Sequence, residues 1–156
     1  MLKDYQKELL ILLEQCELEI SSLYKLFAEK FPSHKTLWKS MLEEEINHAA
    51  YLNKFSSLAE EGKISFGEKT TKTYTVKAII DDMKTRYQKA QANQYTLLNA
   101  LSFSLNLEES IIEKKFYDYF FSNDSDITTM INKIKKETFE HRSKIKKSLE
   151  KEKNRR

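Results

Sequence analysis

Glu17, Glu45 with His48, Glu108, and Thr138 with His141 stand at positions where the surrounding periodicity asks for apolar side chains. A protein interior does not take up carboxylates and imidazoles without partners, because each gives up its hydration on burial. A centre that draws such groups together, most simply a pair of metal ions, accounts for them. Glu45 and His48 are three residues apart, so on a helix they offer one oxygen and one nitrogen donor from the same face. Four-helix di-metal carboxylate sites take one Glu from each of two helices and Glu-x-x-His from each of the other two. Carboxylates bridge two cations and offset their repulsion, and mixed nitrogen and oxygen ligation suits iron or manganese. Open positions on such ions can bind dioxygen or peroxide. Glu17, Glu45, His48, Glu108 and His141 fit this pattern. Thr138 stands where a second bridging Glu is wanted, and a hydroxyl ligates weakly. Glu137, four residues before His141 and slightly off the stripe, could replace it after a modest helix rotation. Glu109 competes with Glu108, which follows Leu101 and Leu105 more closely.

Four long helices must position these groups. The first spans residues 2–31, with an inward stripe of Leu10, Leu13, Glu17, Ile20, Tyr24, Phe27 and Phe31 at spacings of three and four. Pro32 stops it, and Ser33 can cap the next helix. The second runs to about residue 61 with Leu37, Met41, Glu45, His48, Leu52, Phe55 and Ala59 inward, and Gly62 ends it. Residues 63–73 read as a polar loop, 75–90 as a shorter helix and 91–94 as a joint. The third main helix is expected over 96–121, with Leu97, Leu101, Leu105, Glu108, Ile112 and Phe116 inward. SNDSD at 122–126 supplies caps, and the last helix carries Ile127, Ile131, Ile134, Thr138, His141, Ile145 and Ser148. Tight turns at 32–33 and 122–126 imply two antiparallel pairs, and the long region 62–95 a single crossover between them. Glu17 lies 15 residues before Pro32 and Glu45 13 after it, while Glu108 lies 15 before Asn123 and His141 18 after it. At about 1.5 Å per residue, all of these groups fall near mid-bundle, where they can meet.

Composition supports helices and removes several function classes. The 156 residues are the size of one domain, read here as a bundle over 1–150 and a basic tail over 151–156, and two glycines with one proline leave little for hairpins. Cys16 is the sole cysteine, which excludes an internal disulfide and a thiolate metal knuckle; beside Glu17 it reads as a small core residue near the site. No run of about 18 apolar residues is present, so no membrane insertion is expected. The N-terminus reads as a helix start and not as a signal peptide, making a cytoplasmic location the default. Residues 133–156 carry 11 Lys or Arg against 4 Asp or Glu. Aromatics do not interleave with these charges, so they read as a solvated helix end and not as a nucleic-acid footprint. Tyr24 and Tyr117 could shield or hydrogen-bond a centre, although aromatics at such spacings also serve as ordinary core.

The chain resembles the ferritin-like superfamily, and more closely its rubrerythrin-like branch. Glu17 followed after seven residues by Tyr24, the segment Glu45-Ile46-Asn47-His48-Ala49, and Thr96 through Glu108 look like that family's first three ligand helices. His141 falls at the end of its second Glu-x-x-His, with Thr138 in place of the Glu. The resemblance covers most of residues 5–145 and implies a ferritin-like four-helix bundle holding two iron or two manganese ions. It also implies ferroxidase, peroxidase or another oxygen-dependent activity. Without a cysteine-rich rubredoxin-like module, redox turnover would need an external electron donor. The roles expected are a bridge at Glu45, terminal carboxylates at Glu17 and Glu108, and nitrogen ligands at His48 and His141. The alternative is a metal-free helical interaction protein that has lost one ligand and whose polar groups satisfy one another. A homodimer through one helix face is expected in either case.

Overall fold

Pro32 makes the first corner. The computed structural model describes residues 2–67, 71–114 and 116–155. Helix α1 (Asp4–Lys30) closes on Phe31, whose N–H still reaches Phe27 O at 2.8 Å, and a single 3-10 turn, Pro32–His34, hands the chain to α2 (Lys35–Glu60). Proline lacks the N–H that would continue α1 and disfavours helical backbone at the residue before it. Lys7 pairs with Glu60 at 3.7 Å and Asn53 donates to Glu14 at 3.3 Å, so α1 and α2 run antiparallel. Gly62, at φ +78°, takes the left-handed backbone that ends α2.

The crossover is carried by α3 (Thr73–Gln91), longer than the piece expected from the periodicity. It lies along α1 in the same direction: Lys77 meets Glu8 at 2.9 Å near one end, and Lys30 donates to Asn93 Oδ1 at 2.7 Å near the other. Val76, Ile80 and Met83 are its buried side. Thr96 caps α4 (Leu97–Glu113) by accepting from Asn99 N at 3.1 Å. Asp124 caps α5 (Ser125–Asn154) by accepting from the backbone N–H of Asp126 and Ile127. Asp118 meets Lys135 at 3.0 Å and Glu109 meets Arg142 at 3.5 Å, which sets α4 and the chain after it against α5. The fold is therefore a helical bundle. No helix among the described residues is long and apolar enough to cross a membrane.

Several expectations need correction. The third main helix does not reach residue 121; it ends at Glu113, and Phe120–Phe121 (β2) pairs antiparallel with Ser65–Phe66 (β1), inside the stretch expected to be a plain loop. The aromatic run after Glu113 has strand preference as well as helical spacing. Phe120 uses it to pack 5.1 Å from Phe66 and 6.1 Å from Phe55. On α4 the buried set is Ala100, Leu101, Ser104, Leu107, Glu108 and Ile111, while Leu97, Leu105 and Ile112 are half-buried; the helix is rotated slightly from its expected stripe. Phe31, Leu37 and Ser148 are likewise half-buried, and Leu149 is buried beside the last. Ser33 does not cap α2; its hydroxyl contacts His34 Nδ1 at 3.0 Å. Helix α5 continues through residues 151–154 of the basic C-terminal stretch.

Candidate metal centre

Each inward polar group is carried by an otherwise apolar stripe. Leu13 and Ile20 flank Glu17 on α1, and Met41 and Leu52 flank Glu45 and His48 on α2. Leu101 and Ile111 flank Glu108 on α4, and Ile134 and Ile145 flank Thr138 and His141 on α5. The same periodicity that buries the apolar neighbours forces the charged groups inward with them. Glu17, Glu45, His48, Glu108 and His141 are all at most 2% exposed. Taking such groups out of water costs several kcal/mol per charge unless each is neutralised or paired.

They collect into two triads that share one residue. Glu17, Glu45 and His48 place one donor atom each within 4.8 Å of one another, and so do Glu45, Glu108 and His141. His48 Nδ1 lies 3.5 Å from Glu45 Oε2 and 3.7 Å from Glu17 Oε2. His141 Nδ1 lies 2.9 Å from Glu45 Oε1 and 3.5 Å from Glu108 Oε1. Glu45 thus turns one oxygen toward each imidazole, and the two rings face each other at 6.1 Å. His141 Nδ1 and Glu45 Oε1 stand at ion-pair distance. Glu17 Oε2, Glu45 Oε2, Glu108 Oε2 and both Nδ1 atoms are buried with no hydrogen-bond partner among the described residues. Buried donors and acceptors are nearly always hydrogen-bonded, whereas here both Nδ1 atoms meet the carboxylates only at ion-pair distance.

The outward sides of the same groups are held. Tyr24 donates to Glu108 Oε1 at 2.6 Å, and Tyr117 donates to Glu17 Oε1. His48 Nε2 faces Glu137 Oε1 at 3.2 Å, and His141 Nε2 faces Glu44 Oε2 at 2.6 Å. Glu137 stands behind His48, on its Nε2 side. Glu109 pairs with Arg142 at the outside and leaves Glu108 as the inward carboxylate. Thr138 is buried and donates its hydroxyl back to Ile134 O at 2.7 Å. Cys16 is buried against the cluster, its thiol pushed up first by burial and then by the charges of Glu17, Glu45 and Glu108.

Glu44 was missed in the sequence. A signal was present: Glu44-Glu45-x-x-His48 and Glu137-Thr138-x-x-His141 are the same pattern on two helices. The first Glu of each pattern serves the histidine of the other helix. Tyr117 owes its place to the end of α4. Nine residues after Glu108 on an unbroken helix it would point about 180° away. The turn after Glu113 brings it back to Glu17.

Electrostatics follow the geometry. Burial, then the charges of Glu17 and Glu108, pushes Glu45 up to about 8. Burial acts upward on Glu17 too, but Glu45, His48 and Tyr117 hold it at about 2. Burial lowers both histidines, yet the carboxylates beside them raise His48 and His141 to about 11. Tyr24 and Tyr117 are raised well above the usual phenol range, first by burial and then by the neighbouring carboxylates. These shifts favour protonated histidines beside the carboxylates, which limits the repulsion among Glu17, Glu45 and Glu108.

The donor set suits two hard or borderline divalent cations such as iron or manganese, and each histidine presents Nδ1 inward while its Nε2–H is available to a carboxylate. No family model, curated protein or solved structure matches the chain.

Proposed function

We propose that this chain is a ferritin-like di-metal carboxylate protein that binds two iron or manganese ions and uses them in oxygen, peroxide or iron redox chemistry. The observation that carries the reading is the pair of triads sharing Glu45, with five buried atoms that lack a hydrogen-bond partner among the described residues. Glu17 and His48 would hold one ion, Glu108 and His141 the other, and Glu45 would bridge. Such ions, when bound, supply open positions for dioxygen or peroxide and exchange electrons with them.

The protein's own part is to prepare the donors. Tyr117 holds Glu17 by Oε1 while its Oε2 faces His48, and Tyr24 holds Glu108 by the oxygen that also lies nearest His141. Glu44 and Glu137 accept from the Nε2–H of the two histidines and so keep each Nδ1 lone pair free for ligation. Leu13, Ile20, Met41, Leu52, Leu101, Ile134 and Ile145 exclude water from the same level of the bundle. Electrons for repeated turnover would come from an external donor.

Anaerobic titration of metal-free protein with Fe(II), then elemental analysis and oxygen addition, tests the reading. Saturation near two ions per chain, with an oxygen-dependent absorbance that Glu45→Ala abolishes, is the expected result. A chain that retains no iron or manganese would be a metal-free polar core, and the proposal would fail.

A further inference from the structure

The outward sides of α1 and α2 form one face that differs from the charged surface of a chain in which 33% of residues are Asp, Glu, Lys or Arg. Between Lys7 and Lys25 the outward stripe of α1 is Ile11, Gln15, Leu18 and Ser22. Between Glu43 and Glu60 that of α2 is Ile46, Ala50, Asn53 and Ser57. Ile11, Leu18 and Ile46 are 62%, 45% and 49% exposed. Single exposed apolar side chains are ordinary, but several on one face with no charge between them mark a contact surface.

The register of the two helices gives this face a second property. Lys7 meets Glu60 and Glu14 meets Asn53, which places Ile11 level with Ser57, Leu18 with Ala50, and Ser22 with Ile46. Beyond them Lys25 is level with Glu43, and Glu29 with Lys39. Each large apolar residue is thus matched to a small one, and each charge to its opposite. A two-fold axis running along the helices lays α1 of each copy over α2 of the other without changing level. Ile11 and Leu18 then seat against Ser57 and Ala50 of the second copy, while Lys25 and Glu29 meet its Glu43 and Lys39. A two-fold axis across the helices would instead lay α1 on α1, with Lys7 against Lys25, and α2 on α2, with Glu60 against Glu43. Like charges opposed across an interface cost free energy, so the pattern selects the first arrangement.

We infer that the outer face of α1 and α2 is a dimer interface between two copies of this chain, α1 of one packed over α2 of the other. From Lys7 to Lys25 the face is about 27 Å long, and two adjacent helices are about 20 Å wide, a footprint on the order of 500 Å² per copy. That lies at the low end for specific interfaces, so the dimer is reversible, with a dissociation constant in the micromolar range. The triads lie on the inward sides of the same helices, and the dimer forms with or without metal.

Sedimentation velocity of the full chain over a range of concentrations, at low salt, tests the inference. A monomer–dimer equilibrium is expected. Leu18→Lys should weaken it about 100-fold, because the contact occurs twice per dimer. Its helical circular dichroism and melting temperature should match the parent's at a dilution where both are monomeric. Lys25→Glu should weaken the dimer about tenfold, and adding Glu43→Lys to it should restore the parent affinity. With α1 on α1, Lys25→Glu would strengthen association instead. A chain that stays monomeric at every concentration, leaving the face to a different partner, overturns the inference. So does a dimer indifferent to Leu18→Lys, or one that Lys25→Glu tightens.

Discussion

Glu44 on α2 lies 2.6 Å from Nε2 of His141 on α5, and Glu137 on α5 returns the arrangement to His48 on α2. Neither carboxylate enters a triad; each fixes the tautomer and orientation of a histidine that does. Glu44→Gln and Glu137→Gln should therefore keep two metal sites per chain but lower affinity, by about 10- to 100-fold for outer-shell partners of this kind. Competition with a chelator of known affinity measures it. Unchanged affinity in both variants would make these contacts incidental.

Because both triads use Glu45, metal stoichiometry should depend on which Glu is removed. Glu17→Ala and Glu108→Ala should each lose one ion of two, whereas Glu45→Ala should lose both. Elemental analysis after desalting gives the counts. Equal losses in all three would mean that no carboxylate is shared.

Tyr24→Phe and Tyr117→Phe each leave a buried carboxylate oxygen without its donor while preserving the ring. A cost of about 1–3 kcal/mol is expected for each in the metal-free protein, read from urea denaturation. A change below ~0.5 kcal/mol in both would place the hydroxyls outside the network.

The pH dependence of the metal-free protein has a defined sign. His48 and His141 bind protons more tightly folded (about 11) than unfolded (6.5), so their contribution is full below 6.5 and is lost as pH rises toward 11. Glu45, raised from 4.5 to about 8, adds a growing penalty across that interval. Glu17, lowered from 4.5 to about 2, contributes above 4.5 and loses this as pH falls toward 2. Melting temperature in the presence of a chelator should fall from pH 5.5 to pH 9. Metal ions compete with protons for the same donors, so loading should reduce or reverse the slope. A melting temperature that rises over this range without metal would contradict the proton arrangement.

The bundle's helices and the level at which polar groups enter its core were legible in the sequence, because helical period and the cost of burying charge are local properties. Glu17, Glu45, His48, Glu108 and His141 were identified on those grounds alone, and the structure brings all five together. Between Glu108 and Glu109, Glu108 is the buried one and Glu109 pairs with Arg142 at the outside. Glu137 stays open on sequence alone, because a residue one step off a stripe can turn inward as a ligand or stay at the rim as a partner; here it stands at His48 Nε2.

What the tertiary structure decided lies between elements. That Glu44 serves His141, and Tyr117 serves Glu17 across 100 residues of chain, depends on the relative rotation and register of packed helices. The end of α4 at Glu113 is of the same kind: its aromatic run could continue a helix or join a strand, and contact with Phe66 and Phe55 settled it. Spacing within one helix determines which side chains face inward; only packing determines what they meet there.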